Sequence, residues 1–167
     1  MYVLRSPVVE PAAPEPAFVL TVFGTPAPQG SKKTVGKRRT TKGKLVPRMV
    51  ESSKKVKPWR EAVHDAAVAH ILRQRGRFVK LDGPLEAQMY FTLPAPKTMP
   101  KGRVAATVYP DLSKLVRSTE DALTTAGVWA DDARVIRYRD LRKTYPSLGP
   151  HALTRPGVVL CVWKATP

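Results

Sequence analysis

Acidic residues are scarce in this chain of 167 residues: 13 Asp and Glu stand against 29 Lys and Arg, a formal charge of +16 and a sequence pI near 10.4. Such a surplus predicts an anionic partner, with nucleic acid ahead of a membrane surface because no basic helix with an aromatic face is present. Cysteine is nearly absent too. The single Cys161, inside VVLCVW, excludes a disulfide within the chain and reads as a buried thiol. The three histidines, His64, His70 and His151, have no zinc-ligand spacing and no cysteine cluster to join. No apolar run approaches the roughly 18 residues of a membrane span, and no charged start with an apolar h-region marks a signal peptide, so the expected location is cytoplasmic. A glycine-rich phosphate loop before a helix, a nucleophile elbow and internal repeats are all missing.

What is present fits one domain, since this length supports a single core but not two. Residues 1–17 carry Pro7, Pro11, Pro14 and Pro16 and read as a loosely held tail before a domain spanning 18–167. FVLTVF from Phe18 suits a buried strand. Residues 31–48 hold Lys32, Lys33, Lys37, Arg38, Arg39, Lys42, Lys44 and Arg48 with no acid, which predicts a mobile basic loop that binds DNA phosphates. A helix is expected from Ser52 or Ser53 to about Arg75, with Trp59 on its apolar stripe as a core anchor. Residues 85–93 alternate as a half-buried strand, 133–142 read as a strand, and GVVLCVW reads as a strand interior to a sheet.

The acids gather in one stretch, residues 110–132, which holds Asp111, Glu120, Asp121, Asp131 and Asp132. Read at 100° per residue, Leu112, Leu115, Val116, Thr119, Ala122, Leu123 and Ala126 share one arc, with Ser113, Lys114, Arg117, Glu120 and Asp121 opposite. This predicts an amphipathic helix entered at Pro110 and Asp111 and closed by Gly127. Each acid alone has a plain role open to it: Asp111 as an N-cap, Asp121 as partner of Arg117, the Asp131-Asp132 pair as a turn. Together they point to a cation site, because adjacent aspartates repel unless a cation or an arginine compensates them. The expected geometry brings the start of this helix against the start of the next strand, with Asp111 beside Asp132.

PD, then L, then KLVRSTEDALTTAGVWADDARV resembles the signature of the RusA family of Holliday-junction resolvases, PDxDNLxKxxxDAL followed by a glycine turn and DD before a strand. GTPAPQGSKK at 24–33 and Trp59 are similar to further landmarks of that family, and Lys143, or equally Arg142, falls near its basic position at the end of the following strand. The resemblance implies an α+β domain, a mixed sheet of about four to five strands packed with two main helices. It also implies a homodimer, bacterial or phage-encoded, that acts on four-way DNA junctions with Mg²⁺ or Mn²⁺. Carried over residue by residue, it makes Asp111, Asp131 and Asp132 metal-site and catalytic positions, Asp121 the helix aspartate and Arg117 a stand-in for the family's lysine. Ser113 and Lys114 depart from the family's aspartate and asparagine, so Ser113 becomes an altered ligand that holds metal weakly or through water.

The chemistry is consistent with those residue types. A phosphodiester resists attack because its charge repels nucleophiles, and hard carboxylate oxygens suit the divalent ions that relieve this. Lys32, Lys33, Lys37, Arg38, Arg39, Lys114 and Lys143 are the expected DNA contacts. The competing expectation is a basic junction-binding protein that no longer cuts, with Ser113 as its strongest support; a nuclease for RNA or single strands is a third. The dimer interface is expected around Tyr90, Phe91 and Trp129.

Overall fold

The computed structural model describes residues 14–30, 32–41, 43–51, 54–99, 102 and 105–165, apart from the side chains of 32–35, 38 and 47–51. Most of the expected tail, Lys42, the expected helix start at Ser52 or Ser53, and the side chains of Lys32, Lys33, Arg38 and Arg48 therefore lie outside the described residues. The elements run β1 (Phe18–Phe23), β2 (Lys32–Arg39), β3 (Leu45–Glu51), α1 (Val56–Arg73), β4 (Leu85–Thr92), α2 (Leu112–Thr125), β5 (Val135–Thr144) and β6 (Gly157–Lys164), with a 3₁₀ turn at Asp132–Arg134.

Four strands form one mixed sheet in the order β1-β6-β4-β5, antiparallel except for the parallel β4–β5 pair, with both long helices in the same α+β domain. The continuous apolar run of β6 is interior, as its composition predicts. Its first residue, Gly157, lies so close to β1 that any side chain there would overlap the Val22 carbonyl. The last residues of the expected tail are held as well, since Pro14 O accepts from Trp163 Nε1 at 2.8 Å and Ala17 N donates to Val162 O.

Three expectations change. In place of a basic loop over 31–48 the chain folds into the antiparallel β2–β3 hairpin, a two-stranded sheet of its own. Its turn is closed by Thr40: Thr40 N donates to Lys44 O, Lys44 N donates to Thr40 Oγ1, and Gly43 takes the left-handed conformation. The density of charge hid a β-branched pattern of Thr34, Val35, Val46 and Val50. Strand β4 is buried on both faces rather than half-buried, because it is an inner strand and side chains from β5 and β6 also cover its second face. Third, the side chains of Tyr90, Phe91 and Trp129 are themselves buried within the chain and are not an exposed aromatic patch for a second copy.

Helix α1 carries Trp59, Val63 and Ala67 into the core, so Trp59 anchors it as expected. Trp59 Nε1 donates to Thr119 Oγ1 at 3.2 Å, and Arg60 pairs with Asp121 at 2.7 Å, so α1 and α2 are pinned by one buried hydrogen bond and one ion pair.

Candidate active site along the second helix

Helix α2 forms where its apolar spacing predicts and ends at Gly127, whose positive φ of 78° suits the left-handed position after a helix. The GTPAPQGSKK segment lies against it. Ser118 Oγ donates to Ala27 O at 2.7 Å, and Gln29 N donates to Lys114 O at 2.8 Å. The basic hairpin, beginning three positions after Gln29, therefore springs from beside the first turns of α2.

Asp111 occupies the N-cap position but makes no side-chain cap hydrogen bond; its carboxylate is exposed and pairs with Lys114 at 3.2 Å. Ser113, Lys114 and Arg117 are exposed on the same part of the helix, and Arg117 has no ion pair among the described residues. Asp121, which could have paired with Arg117, holds Arg60 instead. Lys143, expected as a phosphate contact, donates from Nζ to both Val108 O and Pro110 O at 2.8 Å. It thereby ties the end of β5 to the segment that delivers Asp111.

That tie decides the layout. Strand β5 runs antiparallel to α2, so its end, not its beginning, meets the helix start. Farther back along β5, Tyr138 donates its hydroxyl to Glu120 Oε1 at 2.6 Å, in the second half of the helix. Asp131 Oδ1 accepts from Ala133 N at 2.8 Å and begins the 3₁₀ turn, while Asp132 is half-buried and near enough to Glu120 to act on it electrostatically. Glu120 comes nine positions after Asp111, roughly 13 Å along a helix axis. The expected meeting of Asp111 with Asp132 is therefore corrected: Asp111 caps the start of α2, whereas Asp132, in the 3₁₀ turn that precedes β5, lies near Glu120 in the second half of the helix. Among the described residues no three His, Cys, Asp or Glu side chains gather as a metal site.

Glu120 is the residue that sequence reasoning misses. It lies on the polar arc of the helix, yet it is only 7% exposed because β5 folds over it. Burial raises its pKa above the usual carboxylate range; the Tyr138 hydrogen bond lowers it in part, and the nearby Asp132 and Asp121 charges raise it further. Burial and the bond to Glu120 likewise push the Tyr138 phenol well above its ordinary value. Neither Glu120 nor Asp132 has a cationic partner among the described residues, although the chain carries sixteen more positive than negative charges. The one available sequence signal is spacing: Glu120 is two helical turns from Ser113 on the same face.

Fold and site together define a basic α+β domain with a cationic hairpin rooted beside a helix whose Glu120, with neighbouring Asp132, has no cationic partner among the described residues, the make-up of a protein acting on nucleic acid. The chain belongs to the family of endodeoxyribonuclease RusA, whose profile matches residues 24–151. No curated protein sequence matches it. The match spans the GTPAPQGSKK segment, the hairpin, both helices and the whole of β5.

Proposed function

We propose that this RusA-family endodeoxyribonuclease resolves four-way DNA junctions by paired hydrolytic nicks, using Mg²⁺ or Mn²⁺ and acting as a homodimer. The observation that carries the metal requirement is Asp132, a half-buried carboxylate beside buried Glu120 with no cation to offset either among the described residues. Hard oxygen donors of this kind suit Mg²⁺ or Mn²⁺. Asp132 and Asp131 would hold the ion, and Asp111 is the third acidic position of the reading. When bound, the ion supplies an activated water and neutralises charge on the attacking and leaving oxygens.

The chain's own groups do the rest. Arg117, exposed on the same helix, steadies a non-bridging phosphate oxygen but cannot donate a proton as a lysine would. Lys37 and Arg39 on the hairpin are exposed and, with Lys32, Lys33 and Arg38, follow the backbone of the substrate, giving affinity without reading sequence. Lys114, paired with Asp111 on an exposed part of the helix, would be a further phosphate contact. A homodimer matches the two-fold symmetry of a junction that needs one nick in each of two opposing strands.

A second reading, a junction-binding protein that does not cut, draws on Ser113 and on the separation of Asp111 from Asp132. The test is a synthetic four-way junction with Mg²⁺, using wild type, Asp132→Asn and Asp111→Asn. Symmetric nicks that both substitutions abolish support the full reading. Nicks that survive Asp111→Asn remove Asp111 from the site, and binding without nicks under either divalent ion establishes the second reading.

A further inference from the structure

Beyond the carboxylates, the structure holds a cavity of about 390 Å³ at the carboxyl end of the parallel β4–β5 pair, within the range of sites that take small ligands. Leu112, the first residue of α2, forms part of its wall, so it opens beside Asp111. Its other walls place an aromatic platform next to cations. His151 is exposed and stacks on buried Tyr90 with ring centroids 4.2 Å apart and planes within 5°. Tyr90 is held in turn by donating its hydroxyl to Asp140 at 3.0 Å. The Arg142 guanidinium lies 5.9 Å from the Tyr90 ring and binds Asp140 through Nε, which leaves its outer nitrogens on a side chain that is 61% exposed. Lys143 closes the end nearest the helix.

We infer that this cavity takes a single unstacked nucleobase of the DNA substrate on the outer face of His151, with Arg142 on the adjoining phosphate. The inference rests on the proposed function above and deepens it. A pre-stacked Tyr90–His151 pair offers a flat π surface already ordered on one side, and base stacking on aromatic rings tolerates any base. A cation beside it adds the phosphate contact that a ring cannot make. A continuous duplex keeps its bases paired and stacked, whereas bases at a strand crossing are more readily displaced, so the cavity favours branched DNA over linear duplex.

The experiment uses four-way junctions carrying one 2-aminopurine at each position flanking the crossover, titrated with wild type, His151→Ala and Arg142→Ala. Wild type is expected to change the fluorescence at one position; His151→Ala should abolish that change and weaken junction binding by about 5- to 100-fold, with linear duplex binding unaltered. Arg142→Ala should weaken binding while keeping the fluorescence change. No responding position, or one that responds equally in His151→Ala, overturns the inference. A response that His151→Ala abolishes, with no nicking by wild type under Mg²⁺, supports the cavity and overturns the cleavage reading instead. Unchanged melting of both variants establishes that the exposed side chains act on DNA and not on the fold.

Discussion

Two buried glutamates flank β5, one on each side, and the strand meets them differently. Glu86 of β4 receives Arg137 and, at 2.6 Å, Arg139, whose guanidinium also covers the Trp163 ring at 4.0 Å. Glu120 of α2 receives, among the described residues, only the phenol of Tyr138. Neighbouring side chains on a strand point to opposite faces, so Arg137 and Tyr138 necessarily serve different sides. The consequences for ionisation are opposite: the arginine hydrogen bonds hold Glu86 below the usual carboxylate range, and burial holds Glu120 above it. A buried acid therefore does not by itself mark a site. Glu86 is a structural ion pair, whereas Glu120 and Asp132 have no cationic partner among the described residues.

The largest effect expected from breaking that contrast is at Asp132. Asp132→Asn should reduce nicking of a four-way junction by about 100-fold or more while retaining binding, measured by single-turnover cleavage and by mobility shift. The hairpin, a two-stranded sheet of its own, supplies the control. Replacing Lys37, Arg38 and Arg39 by Ala should weaken DNA binding at every sequence and reduce the salt slope by about 0.9 for each phosphate no longer neutralised. An unchanged slope would take the hairpin out of the interface.

Lys143→Met removes two hydrogen bonds to the segment before Asp111 and should cost about 1–2 kcal/mol in denaturant unfolding, with Lys143→Arg recovering part of it. Smallest and sharpest is the paired exchange of the glutamates. Glu120→Gln keeps an acceptor for Tyr138 and discards the buried charge, so it should raise the melting temperature by about 2–4 °C at neutral pH. Because the folded pKa is raised, the wild type loses stability as pH rises from the ordinary glutamate range through the raised value. The gain from Gln should therefore vanish below that range. Glu86→Gln should do the reverse: its depressed pKa contributes stability above the ordinary range and loses it as pH falls through the lowered value, so Gln lowers the melting temperature at neutral pH. Equal shifts in the two variants would dissolve the contrast.

Much of the fold was legible in the residues. Period 3.6 marked α2 and the inner face of α1, a continuous apolar run marked β6, and Gly127 marked the helix end, because these signals arise from neighbours within one element. The hairpin was hidden because dense charge reads as loop until a partner strand is seen. The burial of β4 on both faces was hidden because sequence does not state which strand is interior.

By itself, then, the sequence determined the chemistry available: a cationic chain, an amphipathic helix, and a small reserve of carboxylates between Asp111 and Asp132. Only the tertiary structure decided which of those groups are neighbours. The antiparallel return of β5 set Lys143 at the start of α2 and Tyr138 over Glu120, which parted Asp111 from Asp132 and buried an acid that stood on the polar arc. The physical reason is that periodicity along one segment reports which face is covered, while ion pairing and desolvation depend on which distant segment does the covering.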